Sequence, residues 1–399
     1  MNNIIFHIDV NSAFLSWTAI KMLENQPDSV DIRTVASIIG GDQSKRHGIV
    51  LAKSVPAKKF GIQTGEPLVS AREKCPNLVC IPPNYNDYVF YSNELMNLLK
   101  KYAPTVEQFS IDEAFCDMTG TGRLYGDPVD FAYRLKNEIR ETFGFTVNIG
   151  ISSNKLLAKM ASDFEKPDKV HTLFPEEIEE KMWPLDVGEL FFVGKNTKRK
   201  LNSIGIRTIG DLANTDPSII QYHLKKFGYT LWEYANGHDL ATVTNHDESN
   251  RSYSNETTVS QDITSPDIAK HVLLSLCETV SARLRVDKMK VRVIGVYITN
   301  ADFEQTRHQL TLPSATDVTQ EIYSNCCQLF QKLWDGSPIR LLGVSCSRIT
   351  EDSSVQYNLF DGQKYERLQK LDHAVDQLRN RYGDDSIMRA CFLPPKKGQ

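Results

Sequence analysis

The spacing of hydrophobic and polar positions predicts both strands and helices in the first part of the chain. Short apolar runs of strand length occur in IIFHIDV, TVASIIG and FTVNIGIS. Apolar residues at helical spacing occur in DYVFYSNELMNLLKKYA and PVDFAYRLKNEIRETFG. Residues 1–184 are therefore expected to form an α+β or α/β body of the kind that carries catalysis.

The pattern changes between residues 185 and 245, where short helices joined by glycine turns replace the strands. Thr208 and Asp211, in the segment TIGD, have the spacing of a capping box and predict a helix start. The polar stretch TNHDESNRSYSNE that follows is predicted to be a linker.

Residues 251–350 return to alternating patterns and predict a small separate α+β domain. The expected strands are TTVSQDI, VRVIGVYIT and RLLGVSCSRI, and the expected helices are IAKHVLLSLCETVSARLR and VTQEIYSNCCQLFQKLW. A last helix is predicted in KYERLQKLDHAVDQLRNRYG, with apolar residues at helical spacing. We expect it to pack on the body of the protein rather than on a partner. The apolar residues are Leu368, Leu371, Val375 and Leu378.

Length, charge and cysteine usage restrict the class of protein. A chain of 399 residues favours two to four domains, and its net charge of −4 gives no hint of a polyanionic partner. Positive charge is nevertheless concentrated in RLRVDKMKVR and KNTKRK, which suits either nucleic-acid contacts or ordinary solvated faces. The eight cysteines show no zinc or disulfide spacing. With no membrane-length apolar run and no leader segment, we expect a cytoplasmic protein.

Three carboxylates are candidates for a metal site. Asp9 ends an apolar strand, and Asp112 and Glu113 are adjacent within FSIDEAFCDM. Adjacent residues of one strand face opposite sides, but the two acids can meet if VEQFS and AFCDMT are the arms of a hairpin. Three such carboxylates have the oxygen ligands that Mg²⁺ prefers. The alternatives are a helix cap at Asp9 and surface acids at a turn.

The segment GISSNKLLAKMAS predicts a strand followed by a helix that begins near Asn154. Lys155 and Lys159 would lie on one helical face, close to the amino terminus of that helix. This arrangement is typical of a phosphate site, although solvent-facing lysines on an ordinary helix explain it equally well.

The motifs together resemble a known family. HIDVNSAF, VPAKKFGI, SIDEAF, GISSNKLLAKMASDFEKP and FFVGKNTKRKLNSIGIRTIGDL occur in the order found in the Y-family translesion DNA polymerases, nearest the DNA polymerase IV branch. The resemblance implies an α+β multidomain, right-hand polymerase fold. Its expected domains are a palm (1–12 and 68–184), small fingers (13–67), a helix-hairpin-helix thumb (185–245), an α+β little finger (246–350) and a tail (351–399).

The resemblance also implies catalytic roles. Asp9, Asp112 and Glu113 would be the catalytic residues. Together with the backbone carbonyl of Val10, they would be the ligands of two Mg²⁺ ions, and Val10 would also contact the substrate. The implied reaction is nucleotidyl transfer to a primer 3′-hydroxyl, as an error-prone, DNA-directed synthesis past damaged bases. Rival interpretations are a catalytically weak protein that binds DNA and the clamp, and a nucleotide cyclase on a similar palm.

The same resemblance assigns the deoxynucleoside triphosphate site. Phe14 would lie under the deoxyribose and exclude a 2′-hydroxyl, and Lys58 and Lys159 would contact the triphosphate. The chain departs from many relatives at Val55, where they carry a tyrosine, and at Ala52, where they carry a Thr or Ser hydroxyl. We therefore expect weaker nucleotide binding without loss of chemistry, each missing hydrogen bond being worth about 1–3 kcal/mol.

Partner contacts complete the expectations from the resemblance. The protein would be a monomer that binds primer-template DNA and a sliding clamp. Backbone amides at glycine turns of the thumb and a basic strand face in the little finger would meet DNA. The pentapeptide QYNLF would bind the clamp. The implied DNA contacts are Gly194, Lys195, Gly205, Lys288, Lys290 and Arg292, and the clamp contacts are Gln356, Leu359 and Phe360.

Overall fold

The structure is a computed structural model that describes residues 3–41, 48–245, 250–351 and 362–392. The described residues up to 245 form one compact unit, and those from 250 onward form a second. None of the helices in these ranges has both the length and the apolar character needed to cross a membrane.

The first unit mixes strands with helices, as the sequence pattern predicts. Its strands are β1 (Ile5–Val10), β2 (Ser37–Gly40), β3 (Val50–Lys53), β4 (Val79–Ile81), β5 (Thr105–Gln108), β6 (Glu113–Asp117), β7 (Val147–Ser152) and β8 (Val170–Thr172). Its helices are α1 (Ala13–Asn25), α2 (Val55–Lys59), α3 (Leu68–Lys74), α4 (Tyr85–Tyr102), α5 (Gly122–Tyr125), α6 (Pro128–Phe143), α7 (Lys155–Asp163), α8 (Lys195–Ser203), α9 (Ile209–Ala213), α10 (Pro217–Leu224) and α11 (Lys226–Ala235).

A five-stranded sheet in the order β5-β6-β1-β7-β8 forms the centre of this unit. β1 is buried along its whole length and pairs antiparallel with β6 and β7. Phe6 and Ile8 face a core that includes residues of α4 and α6. Asp9 has the opposite parity, so it lies on the face that α7 covers.

α7 packs very closely on this sheet because β7 has a glycine beneath it. A Cβ atom at Gly150 would lie only 2.0 Å from the backbone oxygen of Ala158. Any other residue at this position would push α7 outward. The close approach carries the lysine of α7 that follows Ala158 toward the end of β1.

The predicted acidic hairpin is confirmed. β5 and β6 pair antiparallel, with Glu113 as the first residue of β6 and Asp112 in the turn that precedes it. The strands β3 and β4 were not predicted, because runs of three or four residues carry too little periodicity. They flank β2 in a second, three-stranded sheet.

Short helices occupy residues 195–235, as expected for the segment without strands. α8 to α11 share a hydrophobic core with α7, and this core includes Leu157, Leu201, Leu212 and Leu231. The capping box is confirmed. The Thr208 hydroxyl accepts a hydrogen bond from the Asp211 amide at 3.0 Å, and the Asp211 carboxylate accepts one from the Thr208 amide at 2.9 Å.

The second unit is a four-stranded antiparallel sheet in the order β11-β10-β12-β9, covered by two helices. Its elements are β9 (Ser252–Ile263), α12 (Pro266–Val286), β10 (Lys290–Asn300), β11 (Gln305–Thr316), α13 (Thr319–Leu333), β12 (Ile339–Thr350) and α14 (Gly362–Tyr382). The predicted linker was too long, because β9 already begins at Ser252. β11 was missed because its sequence, QTRHQLTLPSAT, is mostly polar and exposed.

The last helix packs within the second unit, as predicted, but through charged side chains. Asp372 and Asp376 of α14 contact Arg285 of α12. Leu371 and Leu378, two members of the apolar pattern, are about half exposed. Leu368 and Val375 are half-buried, so helical spacing identified the helix and part of the face that docks.

Candidate active site

The three predicted carboxylates come together where β1 ends beside the acidic turn. Asp9 is the register partner of Glu113, so their backbones are adjacent across β1 and β6. The amide of Val10 donates to the carbonyl of Asp112 at 3.0 Å and fastens the turn to β1. Strand pairing thus unites residues that are about a hundred positions apart in the sequence.

Two lysines hold part of this acidic group. The Lys159 ammonium, which α7 carries over the sheet, lies 3.1 Å from Glu113 Oε1 and 3.6 Å from Asp9 Oδ2. The Lys166 ammonium lies 2.6 Å from the same Asp9 oxygen. We call Asp9, Glu113, Lys159 and Lys166 the active-site cluster. The predicted pairing of Lys155 with Lys159 at one site is not seen, since Lys155 bonds to Glu107 at 2.6 Å.

A buried histidine that the sequence analysis did not select also contacts this cluster. His7 Nε2 lies 3.3 Å from Glu113 Oε2, and His7 Nδ1 lies 2.8 Å from the Ser162 hydroxyl. Burial lowers the pKa of His7. Its strand face, shared with Asp9, was the available signal.

The acids differ in how far their charge is balanced. Burial alone would raise the pKa of Glu113, but the hydrogen bond from His7 and the charge of Lys159 lower it to about 2. Asp112 bonds to the Ser110 hydroxyl at 2.7 Å, yet burial raises its pKa, and the negative charges of Asp9 and Glu113 raise it further. The site therefore carries uncompensated negative charge around Asp112.

These residues fit a divalent cation. Among the described residues, no three His, Cys, Asp or Glu side chains already converge as a metal site. The donor set nevertheless consists of carboxylate oxygens, the ligands of Mg²⁺. A cation between Asp9 and Asp112 would relieve the repulsion that raises the pKa of Asp112.

A cavity of about 260 Å³ opens beside the acids. Phe14 lies at its side, with its ring stacked on Tyr88 at a centroid distance of 4.4 Å and an interplanar angle of 6°. The packing fixes the orientation of the Phe14 ring. Of the predicted nucleotide and metal residues, Glu113, Lys58 and Lys159 are not in its lining. The lining residues are Asp9, Val10, Ser12, Ala13, Phe14, Leu51, Ala52, Lys53, Thr64 and Asp112.

Lys53 is a cavity residue that the sequence analysis missed. Burial lowers its pKa and the nearby charge of Lys58 lowers it further, while the charge of Glu66 acts in the opposite direction. Within the part of the chain that the structure describes, no carboxylate forms an ion pair with Lys53. Its position next to Ala52 in VLAKSVPAKK, a segment already rich in lysine, was the signal available in the sequence.

The residues expected to bind triphosphate from α2 are exposed. Lys58 lies in the last turn of α2, and Val55 is its first residue. The Ser54 hydroxyl caps the helix by accepting a hydrogen bond from the Ala57 amide at 3.1 Å. The cap fixes the position of α2 relative to β3 and the cavity.

The expected DNA contacts of the short-helix region are exposed. Gly194 is the N-cap of α8, Lys195 is its first residue, and Gly205 lies in the following turn with a φ of +88°. The Gly205 amide donates to the Asn202 carbonyl at 3.1 Å. A phosphate contact through this amide would have to replace that bond, so Gly194 and Lys195 are the better candidates.

The expected basic strand face of the second unit needs a correction. Lys288 is not part of β10, because it lies in the preceding turn with a φ of +57°. Lys290 begins the strand, and Arg292 is exposed between the buried Val291 and Val293. A β-bulge at this point shifts the pairing with β11. Only Lys290 and Arg292 therefore alternate along the strand as expected.

The expected clamp motif, with Gln356, Leu359 and Phe360, lies outside the described residues. The described chain resumes at Gly362 with α14. Clamp binding therefore stays a prediction from the sequence.

Comparison with known proteins identifies relatives along nearly the whole chain. The model of the impB/mucB/samB family matches residues 8–163, and the model of its C-terminal domain matches residues 250–359. A protein named DNA polymerase IV from Clostridium acetobutylicum is 48% identical over 393 residues, which cover 98% of this chain and 99% of that protein. DNA polymerase IV 2 of Bacillus subtilis is 35% identical, covering 98% of this chain and 94% of its own.

A solved structure shows the same fold. A Y-family DNA polymerase chimera of Dbh and Dpo4 superposes with a TM-score of 0.72, covers 87% of this chain and 99% of its own, and is 22% identical. The fold is therefore the α+β, right-hand fold of the Y-family polymerases. The chain belongs to the impB/mucB/samB family and, within it, to the DNA polymerase IV branch.

Proposed function

We propose that the protein is an error-prone, DNA-directed DNA polymerase that carries out translesion synthesis. The observation that carries the proposal is the shared cavity: Asp9, Asp112, Phe14 and Lys53 all line the same space. The membership of the DNA polymerase IV branch supports this assignment.

Y-family polymerases are metal-dependent nucleotidyltransferases, and the carboxylates of this chain suit that chemistry. Two Mg²⁺ ions, held by Asp9, Asp112, Glu113 and the carbonyl of Val10, would neutralise phosphate charge and lower the pKa of the primer 3′-hydroxyl. The chain itself supplies positioning. Strand pairing fixes Asp9 beside Glu113, and the Val10 amide holds the turn that carries Asp112.

The cavity residues suit a deoxynucleoside triphosphate. The ring of Phe14, immobilised against Tyr88, would lie under the deoxyribose and leave no room for a 2′-hydroxyl. Lys53 and Lys58 would attract the triphosphate, because the charge of Lys58 lowers the pKa of Lys53 and an anion between the two lysines would offset their repulsion. Lys159 would act mainly through Glu113 and Asp9, its contacts in this structure.

The domain roles follow the same assignment. We place the palm at residues 1–12 and 68–184, the fingers at 13–67, the thumb at 185–245, the little finger at 246–350, and the tail at 351–399. Primer-template DNA would meet the thumb at Gly194 and Lys195 and the little finger at Lys290 and Arg292. A sliding clamp would bind the QYNLF segment of a monomeric, cytoplasmic enzyme.

Primer extension with Mg²⁺ and all four deoxynucleotides tests the proposal, on an undamaged template and on one with an abasic site. We expect wild-type extension on both and a loss of roughly 1,000-fold or more in Asp112→Ala, with DNA binding retained. Glu165→Gln is the control, because Glu165 is exposed and pairs only with Lys169 at 3.5 Å among the ion pairs of the described chain.

The outcomes separate the rival functions. DNA binding without extension by the wild type would favour a non-catalytic protein that occupies primer ends. Conversion of a nucleoside triphosphate to a cyclic product without a primer would favour a cyclase. Extension on the undamaged template alone would support the polymerase and contradict translesion synthesis past abasic sites.

A further inference from the structure

Lys166 occupies a carboxylate oxygen that a metal ion would need. Its ammonium lies 2.6 Å from Asp9 Oδ2, a full ion-pair contact at the end of β1. A divalent ion and this ammonium compete for one oxygen, because both require its negative charge.

Asp163 gives the same ammonium a second partner. Its Oδ1 lies 2.7 Å from the Lys166 nitrogen, and it is the last residue of α7. The side chains of Lys166 and Asp163 are both more than a third exposed, so neither is fixed by packing. Lys166 is therefore able to leave Asp9 without becoming an unpaired charge.

Lys159, the other cation near Asp9, is placed differently. It is almost fully buried, lies 3.6 Å from Asp9 and is closer to Glu113, at 3.1 Å. It also contacts Asp163 at 3.5 Å. Lys159 is thus held by burial and by its Glu113 contact, whereas Lys166 is the more exposed of the two cations near Asp9.

We propose that Lys166 is a built-in counter-ion that holds Asp9 in the metal-free protein and moves wholly onto Asp163 when a divalent ion binds. Lys166 and Asp163 thereby set the affinity of the metal site without being its ligands. Both are positioning residues that act through Asp9. The inference rests on the proposed polymerase function, since it takes Asp9 as a metal ligand.

The proposal predicts opposite effects for two neutralising substitutions. Lys166→Met removes the competitor of the metal and should tighten Mn²⁺ binding by about tenfold. Asp163→Asn removes the second partner of Lys166 and should weaken Mn²⁺ binding by about threefold. Lys166→Arg keeps the charge and should restore most of the wild-type affinity. Lys169→Met is the matched control, because Lys169 pairs with Glu165 and not with the cluster.

The test is Mn²⁺ titration of the full-length, DNA-free protein, with free Mn²⁺ measured by electron paramagnetic resonance. Thermal unfolding with and without Mn²⁺ provides a second readout. Without metal, the Lys166→Met variant should unfold at a lower temperature than the wild type. Addition of Mn²⁺ should raise its unfolding temperature by more than it raises that of the wild type. A purely structural Lys166 would instead weaken Mn²⁺ binding when replaced, and that result, or an unchanged affinity, would overturn the proposal.

Primer extension by the same wild-type preparation separates this inference from the proposed function. Extension by the wild type with unchanged Mn²⁺ affinity in Lys166→Met would remove only the counter-ion role. If the wild type neither extends the primer nor binds Mn²⁺, both the counter-ion role and the proposed polymerase function are contradicted.

Discussion

Two clusters of charged side chains have different roles in the two units. In the first unit, the two lysines of the active-site cluster form ion pairs with its two acids. In the second, Arg285 meets Asp372 and Asp376, which we call the helix-docking cluster. Arg285 Nε lies 2.5 Å from Asp376 Oδ2 and its Nη2 lies 3.0 Å from Asp376 Oδ1, so the pair is bidentate. Its Nη1 also lies 3.4 Å from Asp372.

The difference lies in the cation and in what is left unbalanced. A guanidinium fork fixes two oxygens at once, and it also donates here to the Asp317 carbonyl at 2.9 Å. An ammonium is a single charge on a flexible stem and exchanges partners more readily. In the helix-docking cluster, which we call closed, Arg285 pairs with both aspartates. The active-site cluster is open, because the neighbouring Asp112 has a raised pKa and lines a cavity. A structural cluster is satisfied, and a binding site is left in need of a cation.

The largest expected effect is on stability and comes from breaking the closed cluster. Arg285→Met leaves Asp372 and Asp376 without their cation. We expect the free energy of local unfolding of α14 to fall by about 3–5 kcal/mol. Hydrogen exchange at α12 and α14, followed by mass spectrometry, measures that loss.

Arg283→Met is the matched control for this variant. Arg283 lies on the same helix but is exposed and, within the described ranges, donates only a long hydrogen bond, 3.4 Å, to the Ser254 carbonyl. Equal exchange in the two variants would mean that the bidentate pair does not hold α14. That result would contradict a structural role for the helix-docking cluster.

How far each cluster could be predicted from the sequence depends on how its contacting residues are brought together in the fold. Asp9, Asp112 and Glu113 could be selected because strand parity and a hairpin bring neighbouring signals to one edge. The partners of these acids could not, because the contacts of Lys166 and Lys159 depend on how closely α7 packs over Gly150. The docking of α14 was also hidden. Its apolar spacing gave no indication that Asp372 and Asp376 pair with Arg285, which is distant in the sequence.

A smaller effect is expected when a cation is removed from the open side of the active site. Lys53 faces the cavity, and the described structure gives it no ion-pair partner, so Lys53→Met should cost no stability. It should weaken binding of a deoxynucleoside triphosphate by about tenfold, the loss expected for one charged contact to phosphate. Exchange of a cation for methionine should thus destabilise the protein at Arg285 and only weaken nucleotide binding at Lys53.

Nucleotide affinity is measured on a primer that ends in a dideoxynucleotide, so that no chemistry follows binding. Lys59→Met is the control, because Lys59 is an exposed lysine of α2 that does not line the cavity. Lys53→Arg should retain most of the affinity. A loss of thermal stability in Lys53→Met, with nucleotide binding unchanged, would place Lys53 among the structural cations and contradict its assignment to the open side.

The smallest expected effect comes from adding a donor to the open side instead of removing one. Val55 is the exposed first residue of α2, at the position where the family resemblance leads us to expect a tyrosine, and Val55→Tyr adds a hydroxyl that can donate to a phosphate oxygen. Because the acceptor is charged but the position is exposed, we expect nucleotide binding to tighten by roughly fivefold. Val55→Phe adds the same ring without the hydroxyl and should leave the affinity unchanged. Equal affinities in Val55→Tyr and wild type would show that Lys53 and Lys58 already satisfy the triphosphate, and that the missing tyrosine costs this chain nothing.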